Sequence, residues 1–422
     1  ADVLSEAGLR VMVVEARRRI GGRIWTVRNA SWRFPLELGA EFVHGRAAET
    51  FRLANEAGLV IDRLPDVHWL STGGSLTRIP EFWSQVDAVM RRMKAKGRDR
   101  SVAEFLARRK LPPKLRALVV SLVEGYHAAH LDRVSERSLS TAGQEPAGVE
   151  DASQFRPVGG YSGIVALLRS RIAGRGVTIR RSTPIAAVRW KRLDVRALPV
   201  SGCEIRARRA VVTLPLGVLQ APDGSAGAVR FDPALTEKKG ALSRLAMGDV
   251  ARLVFLFREA FWQTEGFLER RMPRRVSSAL RDLGFIHSRD APVPTWWTAA
   301  PAQSPMLVGW AGGPTAEMLL TFDRRRMLSV ALESLGELLH VRPRRLADLL
   351  QIWRMHDWTA DPFSRGAYSY ELVGAGRARS TLARPVENTL FFAGEATHEE
   401  HSGTVEGALL SGQRAAREIL GK

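Results

Sequence analysis

The sequence predicts a mixed α/β protein of two interleaved domains, and three observations support this prediction. The chain has 422 residues, which is enough for two domains, and its hydrophobic share of 45% and charged share of 25% are those of a globular protein. Short β-branched runs and helical periodicity alternate near both ends of the chain, as in α/β proteins. Between these ends lies a stretch of amphipathic helical patterns that indicates an inserted helical segment.

The composition excludes several classes of protein. Of 63 basic residues 55 are Arg, and the net charge is +19, but the arginines are scattered and form no basic tail. This distribution favours an Arg-rich enzyme surface over a nucleic-acid or anionic-membrane partner. Cys203 is the single cysteine, so we expect no disulfide framework and no cysteine metal site, in line with a reducing, cytoplasmic location. Export of the protein remains an alternative to the cytoplasmic location. No apolar run in the sequence is long enough for a transmembrane segment.

The first residues predict half of a Rossmann βαβ unit. Residues 1–8 have the pattern of a helix that ends at Gly8, and residues 9–14 are a β-branched strand that ends before Glu15. An acid at this position suits ribose hydroxyls, whereas the alternative is a solvated acid at a strand end. The preceding strand and its G-x-G-x-x-G loop are missing, so the chain is expected to be truncated or to have lost its pyrophosphate loop.

Two glycine-rich stretches follow. Gly21-Gly22-Arg23 would allow close approach of a phosphate to the backbone and supply a neutralising charge, although Arg23 alone could equally be a surface residue. Residues 36–45 are a second stretch, punctuated by Gly39 and Gly45.

Further along, the periodicity predicts a set of helices and strands. Helices are expected at 81–96, 101–110, 114–124, 164–173 and 325–340, and strands at 177–179, 185–188, 210–214, 253–257 and 306–310.

The last forty residues predict a strand and a helix that meet at one point. Residues 388–393 form a short apolar strand that ends at Gly394-Glu395, and a helical pattern starts at Gly403-Thr404. A carboxylate at the strand end and free N–H groups at the helix start would suit a ligand with a polyol chain and an anionic ring edge, such as reduced flavin. The alternative is an ordinary αβ unit that closes a sheet.

With Glu15, Gly21-Gly22-Arg23, Gly39-Ala40-Glu41 and Ala393-Gly394-Glu395 in this order, the chain resembles the flavin-containing amine oxidases. That family includes monoamine oxidases, polyamine oxidases and lysine-specific histone demethylases, and the resemblance covers nearly the whole chain. It implies a Rossmann-like FAD-binding domain made of residues 1–64, 155–235 and 380–422. A substrate-binding domain of mixed sheet and helices would be formed by residues 65–154 and 236–379.

The resemblance also implies a reaction. Hydride transfer from the Cα of an amine to flavin N5 would give an imine, which hydrolyses, and O2 would take the electrons to give hydrogen peroxide. The expected partners are a small-molecule amine and O2, with no nucleic acid, and the oligomeric state stays open.

Site roles are carried over from the family to matching positions. Arg252, Tyr368 and Trp358 are expected to be catalytic. FAD is expected to bind Glu15, Ala16, Arg17, Gly22, Arg23, Gly39, Ala40, Glu41, Phe42, Ile185, Trp358, Phe363, Gly394, Glu395, Thr404, Val405 and Ala408.

Three aromatic residues five positions apart line the flavin and the amine channel in this interpretation. Trp358 and Phe363 would pack on the isoalloxazine and Tyr368 would form a channel wall, whereas a loop clamped to the core is the alternative. The second aromatic of the family's cage is replaced by Thr404. Some members bind FAD through a Cys at the position of Ala367, so we expect non-covalent FAD.

The family's lysine, which holds a water against flavin N5, is replaced by Arg252. A catalytic position, a structural ion pair and a solvent-facing side chain all remain open for Arg252. The histidines show no metal-binding spacing, so no metal is expected. Trp296-Trp297 could line the substrate cavity, but core packing is the favoured interpretation.

Two alternatives to an amine oxidase remain. The first is another flavoenzyme on the same scaffold, such as an L-amino-acid oxidase or a carotenoid-type desaturase. The second is an inactive truncated member that holds no FAD.

Overall fold

The computed structural model describes residues 1–94, 96–142, 153–268 and 270–422. Position 95, in the helix predicted at 81–96, and positions 143–152, in the predicted segment 65–154, lie outside the described residues. The helices are α1 (Asp2–Glu6), α2 (Ala48–Glu56), α3 (Phe82–Met90), α4 (Val102–Ala107), α5 (Pro113–Val120), α6 (Glu136–Ala142), α7 (Ser162–Ala173), α8 (Leu216–Leu219), α9 (Thr236–Leu242), α10 (Arg274–Ala279), α11 (Gly313–Leu320), α12 (Arg324–Leu339), α13 (Pro343–Leu349), α14 (Ala378–Ala383) and α15 (Val405–Leu420).

The strands are mostly short and are distributed over the whole chain. They are β1 (Met12–Val14), β2 (Thr26–Val27), β3 (Leu36–Glu37), β4 (Val43–His44), β5 (Ile61–Arg63), β6 (His68–Thr72), β7 (Ser75–Ile79), β8 (Gln154–Pro157), β9 (Thr178–Arg180), β10 (Ile185–Lys191), β11 (Asp194–Pro199), β12 (Ile205–Ala207), β13 (Ala210–Val212), β14 (Arg230–Asp232), β15 (Leu245–Gly248), β16 (Val250–Phe257), β17 (Phe285–Ser288), β18 (Thr295–Thr298), β19 (Met306–Gly312), β20 (Leu350–Arg354), β21 (Tyr368–Glu371) and β22 (Leu390–Phe392).

Two pairs of parallel strands contain the strands near the two ends of the chain. β1 pairs with β9, and β13 pairs with β22. Helix α15 packs its apolar side, including Ala415 and Ile419, against Phe391 of β22 and Leu4 of α1. The N-terminal helix and strand and the C-terminal strand and helix are therefore confirmed, and they meet in one hydrophobic cluster.

The largest sheet has seven strands in the order β20-β16-β19-β18-β17-β6-β7. One face packs on helix α12 through residues such as Phe255, Trp296 and Leu335, which are all fully buried. Helix α12 begins at Asp323, whose carboxylate accepts a hydrogen bond from the N–H of Arg326 at 2.8 Å, and it ends at His340 with a left-handed φ of 53°. This helix agrees with the predicted 325–340.

The helical insertion is present but more broken than the periodicity predicted. The helix expected at 81–96 ends at Met90, and the one expected at 114–124 changes after Val120 into a wider π-helical turn, Ser121–Tyr126. A π-helical turn often marks a functional position, and here it brings Gly125 and Tyr126 to the main cavity. The proposed division into two domains remains a prediction.

Among the helices of the described residues, none combines the length and the apolar character that crossing a bilayer requires.

Candidate active site

One cavity of about 1330 Å³ runs between the parallel strands β1, β9, β13 and β22, the seven-stranded sheet and the helical insertion. Segments from both ends of the chain and from its middle contribute to the lining. Every residue predicted for the site lines this cavity: Glu15, Ala16, Arg17, Gly22, Arg23, Gly39, Ala40, Glu41, Phe42, Ile185, Arg252, Trp358, Phe363, Tyr368, Gly394, Glu395, Thr404, Val405 and Ala408. The individual roles assigned to them remain predictions.

Glu395 lies where strand β22 ends, and its carboxylate is fully engaged with protein donors. It accepts hydrogen bonds from Ser369 Oγ at 2.6 Å, Gly403 N at 2.9 Å and Arg23 Nη1 at 3.0 Å. Burial alone would raise the pKa of Glu395, but Arg23 and Arg379 outweigh it and hold the pKa below its ordinary value. Glu395 is therefore an anion that fixes the positions of the 403 loop and of Arg23.

Helix α15 begins beside this carboxylate. Thr404 is its N-cap, and Thr404 Oγ1 accepts from the N–H of Gly407 at 3.0 Å. The carboxylate of Glu406 turns away and accepts from the N–H groups of Glu49 and Thr50. Among the described residues no backbone acceptor faces the N–H of Val405, which lines the cavity, so this N–H is available to a ligand.

The segment after β1 differs from its expected arrangement. Glu15 accepts a hydrogen bond from the N–H of Arg17 at 2.7 Å, but the Arg17 guanidinium points to the 357–366 loop. It forms an ion pair with Asp361 at 2.8 Å, and its Cζ lies 5.5 Å from the centre of the Phe363 ring. Burial alone would raise the pKa of Asp361. The hydrogen bonds from His356 and Arg17 lower it by more than burial raises it, so the pKa lies well below its usual range. Arg17 thus orders the aromatic loop.

The glycines at 22, 39 and 394 shape the cavity. A Cβ at position 39 would lie 1.8 Å from the carbonyl oxygen of Arg23 and 3.3 Å from Trp358, so only glycine allows the two backbone segments to cross. A Cβ at Gly22 or Gly394 would have no neighbour within 4 Å. Backbone is therefore exposed to the open space of the cavity at these two positions, as a closely held phosphate or polyol chain would require.

Arg252 forms the buried ion pair that was one of the three predicted possibilities. Its Nε donates to the carbonyl of Glu37 at 2.8 Å and its Nη2 to Glu41 at 2.5 Å. Arg156 also pairs with Glu41, at 2.9 Å, and Trp297 Nε1 donates to the same carboxylate at 3.2 Å. A solvent-facing position is wrong, because Arg252 is only 4% exposed.

This ion cluster also changes the interpretation of Glu41 and Glu37. Burial would raise the pKa of Glu41, but Arg252 and Arg156 lower it below the ordinary value, so Glu41 binds protein cations with its carboxylate. Burial raises the pKa of Glu37 to about 7, although it accepts hydrogen bonds from Tyr161 N and Thr26 Oγ1.

A second wall of the cavity consists of uncharged rings. Tyr368 donates its hydroxyl to the carbonyl of Tyr126 at 2.6 Å, and the Tyr126 hydroxyl lies 3.0 Å from His44 Nδ1. Burial lowers the pKa of His44 to about 4. Burial, with a smaller effect of His44, lowers the pKa of His127 to about 4 as well. This wall therefore offers aromatic faces and neutral hydrogen-bonding groups.

The adjacent tryptophans divide between the two predicted environments. Trp297 lines the cavity, whereas Trp296 is fully buried on the opposite face of β18, where it lies over Gly309. Trp358 is also buried, and it donates its Nε1–H to the carbonyl of Leu38 at 2.9 Å. Both the loop-clamping and the cavity-lining interpretations of Trp358 therefore describe its position.

Several cavity residues were not predicted. They are His44, Tyr126, His127, Trp310, His68, Phe285 and His287. His44 lies in the predicted glycine-rich stretch 36–45, so its place in that motif was a usable signal. Tyr126 and His127 lie in and directly after the π-helical turn Ser121–Tyr126. Trp310, His68, Phe285 and His287 gave no local signal, because their side chains meet only through pairing of distant strands. Across the described ranges no group of three or more potential metal ligands occurs.

Comparison with known proteins identifies the family. The family described as flavin containing amine oxidoreductase matches residues 1–420. Lysine-specific histone demethylase 2 of Homo sapiens is 24% identical over 453 residues, covering 99% of this chain and 51% of the demethylase. Polyamine oxidase 2 of Arabidopsis thaliana is 26% identical over 451 residues, covering 99% of this chain and 84% of that oxidase. The chain thus spans about half the length of the demethylase.

Solved structures share the fold. Wild-type putrescine oxidase bound to putrescine superposes with a TM-score of 0.80 at 18% identity, covering 100% of this chain and 95% of that one. Cyclohexylamine oxidase from Brevibacterium oxydans IH-35A gives a TM-score of 0.80 at 20% identity, covering 99% and 95%. The mixed α/β architecture with a Rossmann-like part is confirmed. With the match over nearly its whole length, this chain belongs to the family of flavin-containing amine oxidoreductases.

Proposed function

We propose that this chain binds FAD non-covalently and oxidises the Cα–N bond of a small amine, with O2 as the final electron acceptor. The observation that carries the proposal is that every residue predicted for the flavin site, from position 15 to position 408, lines one cavity. FAD, when bound, supplies the two-electron acceptor and, after reaction with O2, gives hydrogen peroxide.

The residues at the nucleotide end would hold the cofactor. Glu15 follows β1 in the position that suits ribose hydroxyls, and Gly22 presents open backbone next to Arg23. The N–H of Val405 would donate to the ring edge of the flavin, where the partial positive charge of the helix start favours negative charge. Ala367 lines the cavity where some relatives carry a cysteine, which supports non-covalent binding.

The residues of the neutral wall would orient the amine. Tyr368 is fixed by its hydrogen bond to Tyr126 and presents its ring to the cavity. An amine must lose its ammonium proton before hydride is removed from Cα, and a wall of neutral rings disfavours the charged form. Hydrolysis of the resulting imine would give an aldehyde. The polyamine, putrescine and cyclohexylamine oxidases among the similar proteins support an amine as the substrate.

The proposal is tested with purified protein. We expect a yellow protein whose flavin is released by acid precipitation and identified as FAD by mass spectrometry. Putrescine, cyclohexylamine or another amine of a panel should bleach it anaerobically and give peroxide in air. Peroxide from L-amino acids alone would favour the amino-acid oxidase alternative, and a colourless protein that FAD cannot reconstitute would contradict the proposal.

A matched pair of variants connects flavin binding to the cavity. Glu395→Gln leaves Arg23 without its anion, so we expect FAD to be retained about tenfold more weakly or worse, from the loss of a buried charged hydrogen bond. Glu333→Gln on the outer side of α12 is the control and should retain FAD like the wild type.

Arg252 should affect the oxidative half-reaction. Its guanidinium is committed to Glu37 and Glu41, so it holds a water less flexibly than a lysine would. We expect Arg252→Lys to reoxidise its reduced flavin faster than the wild type does, as measured by stopped-flow absorbance after mixing with O2. An unchanged or slower rate in the variant would contradict a role for Arg252 in this step.

A further inference from the structure

A chain of three side chains leads from the protein surface along the cavity side of the seven-stranded sheet. His68 Nε2 lies 3.1 Å from Asp66 Oδ1, and His68 Nδ1 lies 2.9 Å from His287 Nε2. The side chain of Asp66 is 52% exposed, that of His68 is 2% exposed, and both histidines line the cavity. The three groups therefore connect solvent with the cavity interior in two hydrogen-bonded steps.

Ring packing holds the two imidazoles in line. Their planes differ by 4° with centroids 5.2 Å apart, which is the geometry of an in-plane hydrogen bond between ring edges. Phe82 is parallel to both rings, with its centroid 4.2 Å from that of His68 and 4.8 Å from that of His287. Phe285 is parallel to His68 at 4.7 Å. These phenyl rings restrict both imidazoles to one orientation and exclude water from their contact.

The hydrogen-bond directions follow from the carboxylate. An ionised Asp66 only accepts, so His68 Nε2 carries its proton and His68 Nδ1 accepts. His287 Nε2 must then donate, which leaves His287 Nδ1 as an unprotonated acceptor. Because no residue of the described ranges forms a hydrogen bond to Nδ1, this lone pair is available at the cavity.

Strand register places this acceptor on the same sheet face as Arg252. Arg252 is paired with Trp310, Trp310 with Thr295, and Thr295 with His287. Three strand spacings separate the two ends of this row, or about 14 Å. His287 thus lies on the same sheet face as Arg252 but three strands away from it.

We propose that His287 is a proton acceptor for the incoming substrate ammonium, and that His68 and Asp66 carry the proton to solvent. The proton of R–NH3⁺ moves to His287 Nδ1, the His287 Nε2 proton moves to His68 Nδ1, and the His68 Nε2 proton moves to Asp66. The amine is left neutral, and Asp66 releases the proton to water. After the product leaves, the His287 Nδ1 proton passes to water in the cavity, water returns a proton to Asp66, and the protons shift back along the chain, which restores the starting tautomers. This inference rests on the proposed amine oxidase function, since it supplies the neutral amine that the function requires.

The electrostatic surroundings agree with a proton relay. Burial lowers the pKa of both histidines, so they are neutral at pH 7, and Asp66 partly offsets this effect at His68. The hydrogen bond from His68 lowers the pKa of Asp66, and the positively charged groups that lower it further are Arg78 on β7 and Arg63 on β5. The neighbouring residues Phe82 on α3, Phe285 on β17 and Thr295 on β18 carry no charge.

The test is the pH dependence of kcat/KM in variants of His287, measured with whichever of putrescine and cyclohexylamine the holoenzyme oxidises. His287→Gln keeps a hydrogen-bonding group but removes the base, so kcat/KM at pH 7 should fall on the order of 100-fold. The loss should become smaller as the pH approaches the pKa of the amine. It should also be smaller for a fluorinated analogue of the amine, whose ammonium group is more acidic. Asp66→Asn should show a smaller loss with the same trend.

Two further variants serve as a rescue experiment and as a control. His287→Ala should be rescued by added imidazole, whereas His340→Gln, at a surface turn, should behave as the wild type. A loss that is equal at every pH, or no loss, would overturn the relay while leaving the amine oxidase function intact.

A measurement without turnover covers the case in which no amine is oxidised. In ¹⁵N-histidine NMR spectra of the holoenzyme, assigned by difference with His287→Gln, His287 should be protonated at Nε2 and bare at Nδ1. A proton on Nδ1 would overturn the relay independently of any activity. If the tautomer is as expected but no amine reduces the flavin, the proposed function fails, and with it the ammonium as proton donor.

Discussion

Around Glu395 and Glu41 the cavity wall consists of buried ions, whereas around Tyr368 it consists of aromatic rings and neutral imidazoles. Two arginines lower the pKa of each carboxylate below its ordinary value, whereas burial alone would raise it. At the other wall, burial meets no counter-charge, and the pKa values of His44 and His127 fall to about 4. Where the chain supplies a counter-ion the charge persists, and where it supplies none the group becomes neutral.

The largest effect is expected from breaking the ion cluster. Arg252→Leu leaves Glu41 with one arginine in a buried site, and the free energy of unfolding should fall by about 3 to 5 kcal/mol, because a buried charge loses its partner. Chemical denaturation of the purified variant measures this loss.

Two further variants test whether the loss of stability in Arg252→Leu arises because the ion pair is buried. The double variant Arg252→Leu with Glu41→Gln should be less destabilised than the two single changes together, because both members of the pair are removed. Arg52→Leu removes an arginine that is paired with Glu49 and Glu56 at the surface, and should change stability by less than about 1 kcal/mol. Equal losses for Arg52 and Arg252 would contradict the difference between the two settings.

The neutral wall should make stability depend on acid pH. The unfolded chain has histidines of ordinary pKa, about 6.5, and so binds more protons than the folded chain between pH 6.5 and 4. The contribution of His44 to stability is complete above pH 6.5 and is lost as the pH falls toward 4, with a slope of up to about 1.4 kcal/mol per pH unit. Unfolding midpoints at several pH values in the wild type and in His44→Gln measure this slope.

The glutamine variant should have a flatter profile over this window, and the two profiles should run parallel above pH 6.5. Parallel profiles down to pH 4 would show that His44 is protonated in the folded protein as readily as in the unfolded chain, which would contradict a neutral His44 in this wall.

The smallest effect concerns the start of helix α15, where the two walls meet. Thr404→Ala removes the acceptor of the Gly407 N–H and should lower the free energy of unfolding by about 1 kcal/mol, whereas Thr404→Ser should keep nearly all of it. Denaturation curves of both variants provide the comparison. A serine variant as unstable as the alanine variant would assign the effect to the lost methyl group rather than to the cap.

Local sequence was sufficient for the segments that contact the cavity with their backbone. Gly39 and Thr404 lie in motifs whose chemistry is contained in a few consecutive residues, and the structure brings them to one cavity. The ion cluster could not be predicted, because Glu41, Arg156 and Arg252 are more than 90 positions apart and meet only in three dimensions. The division between Trp296 and Trp297 was accessible, since adjacent residues of a strand face opposite sides.

Helix lengths in the insertion were predicted less well for a different reason. The periodic pattern of 114–124 does not distinguish an α-helix from one that widens after Val120, because both place apolar side chains on the same side at first. The hydrogen bond between His68 and His287 also could not be read from local sequence, because it depends on the parallel pairing of β6 with β17.

The row from Arg252 to His287 also bears on how the molecule folds. Its members belong to four strands, and β17 pairs with a strand more than 200 positions earlier in the chain. Closing loops of this length is slow, because chain entropy is lost before the contacts compensate for it. We therefore expect refolding to regain helical circular dichroism well before it regains the ability to capture flavin, so that capture of the cofactor reports the final step.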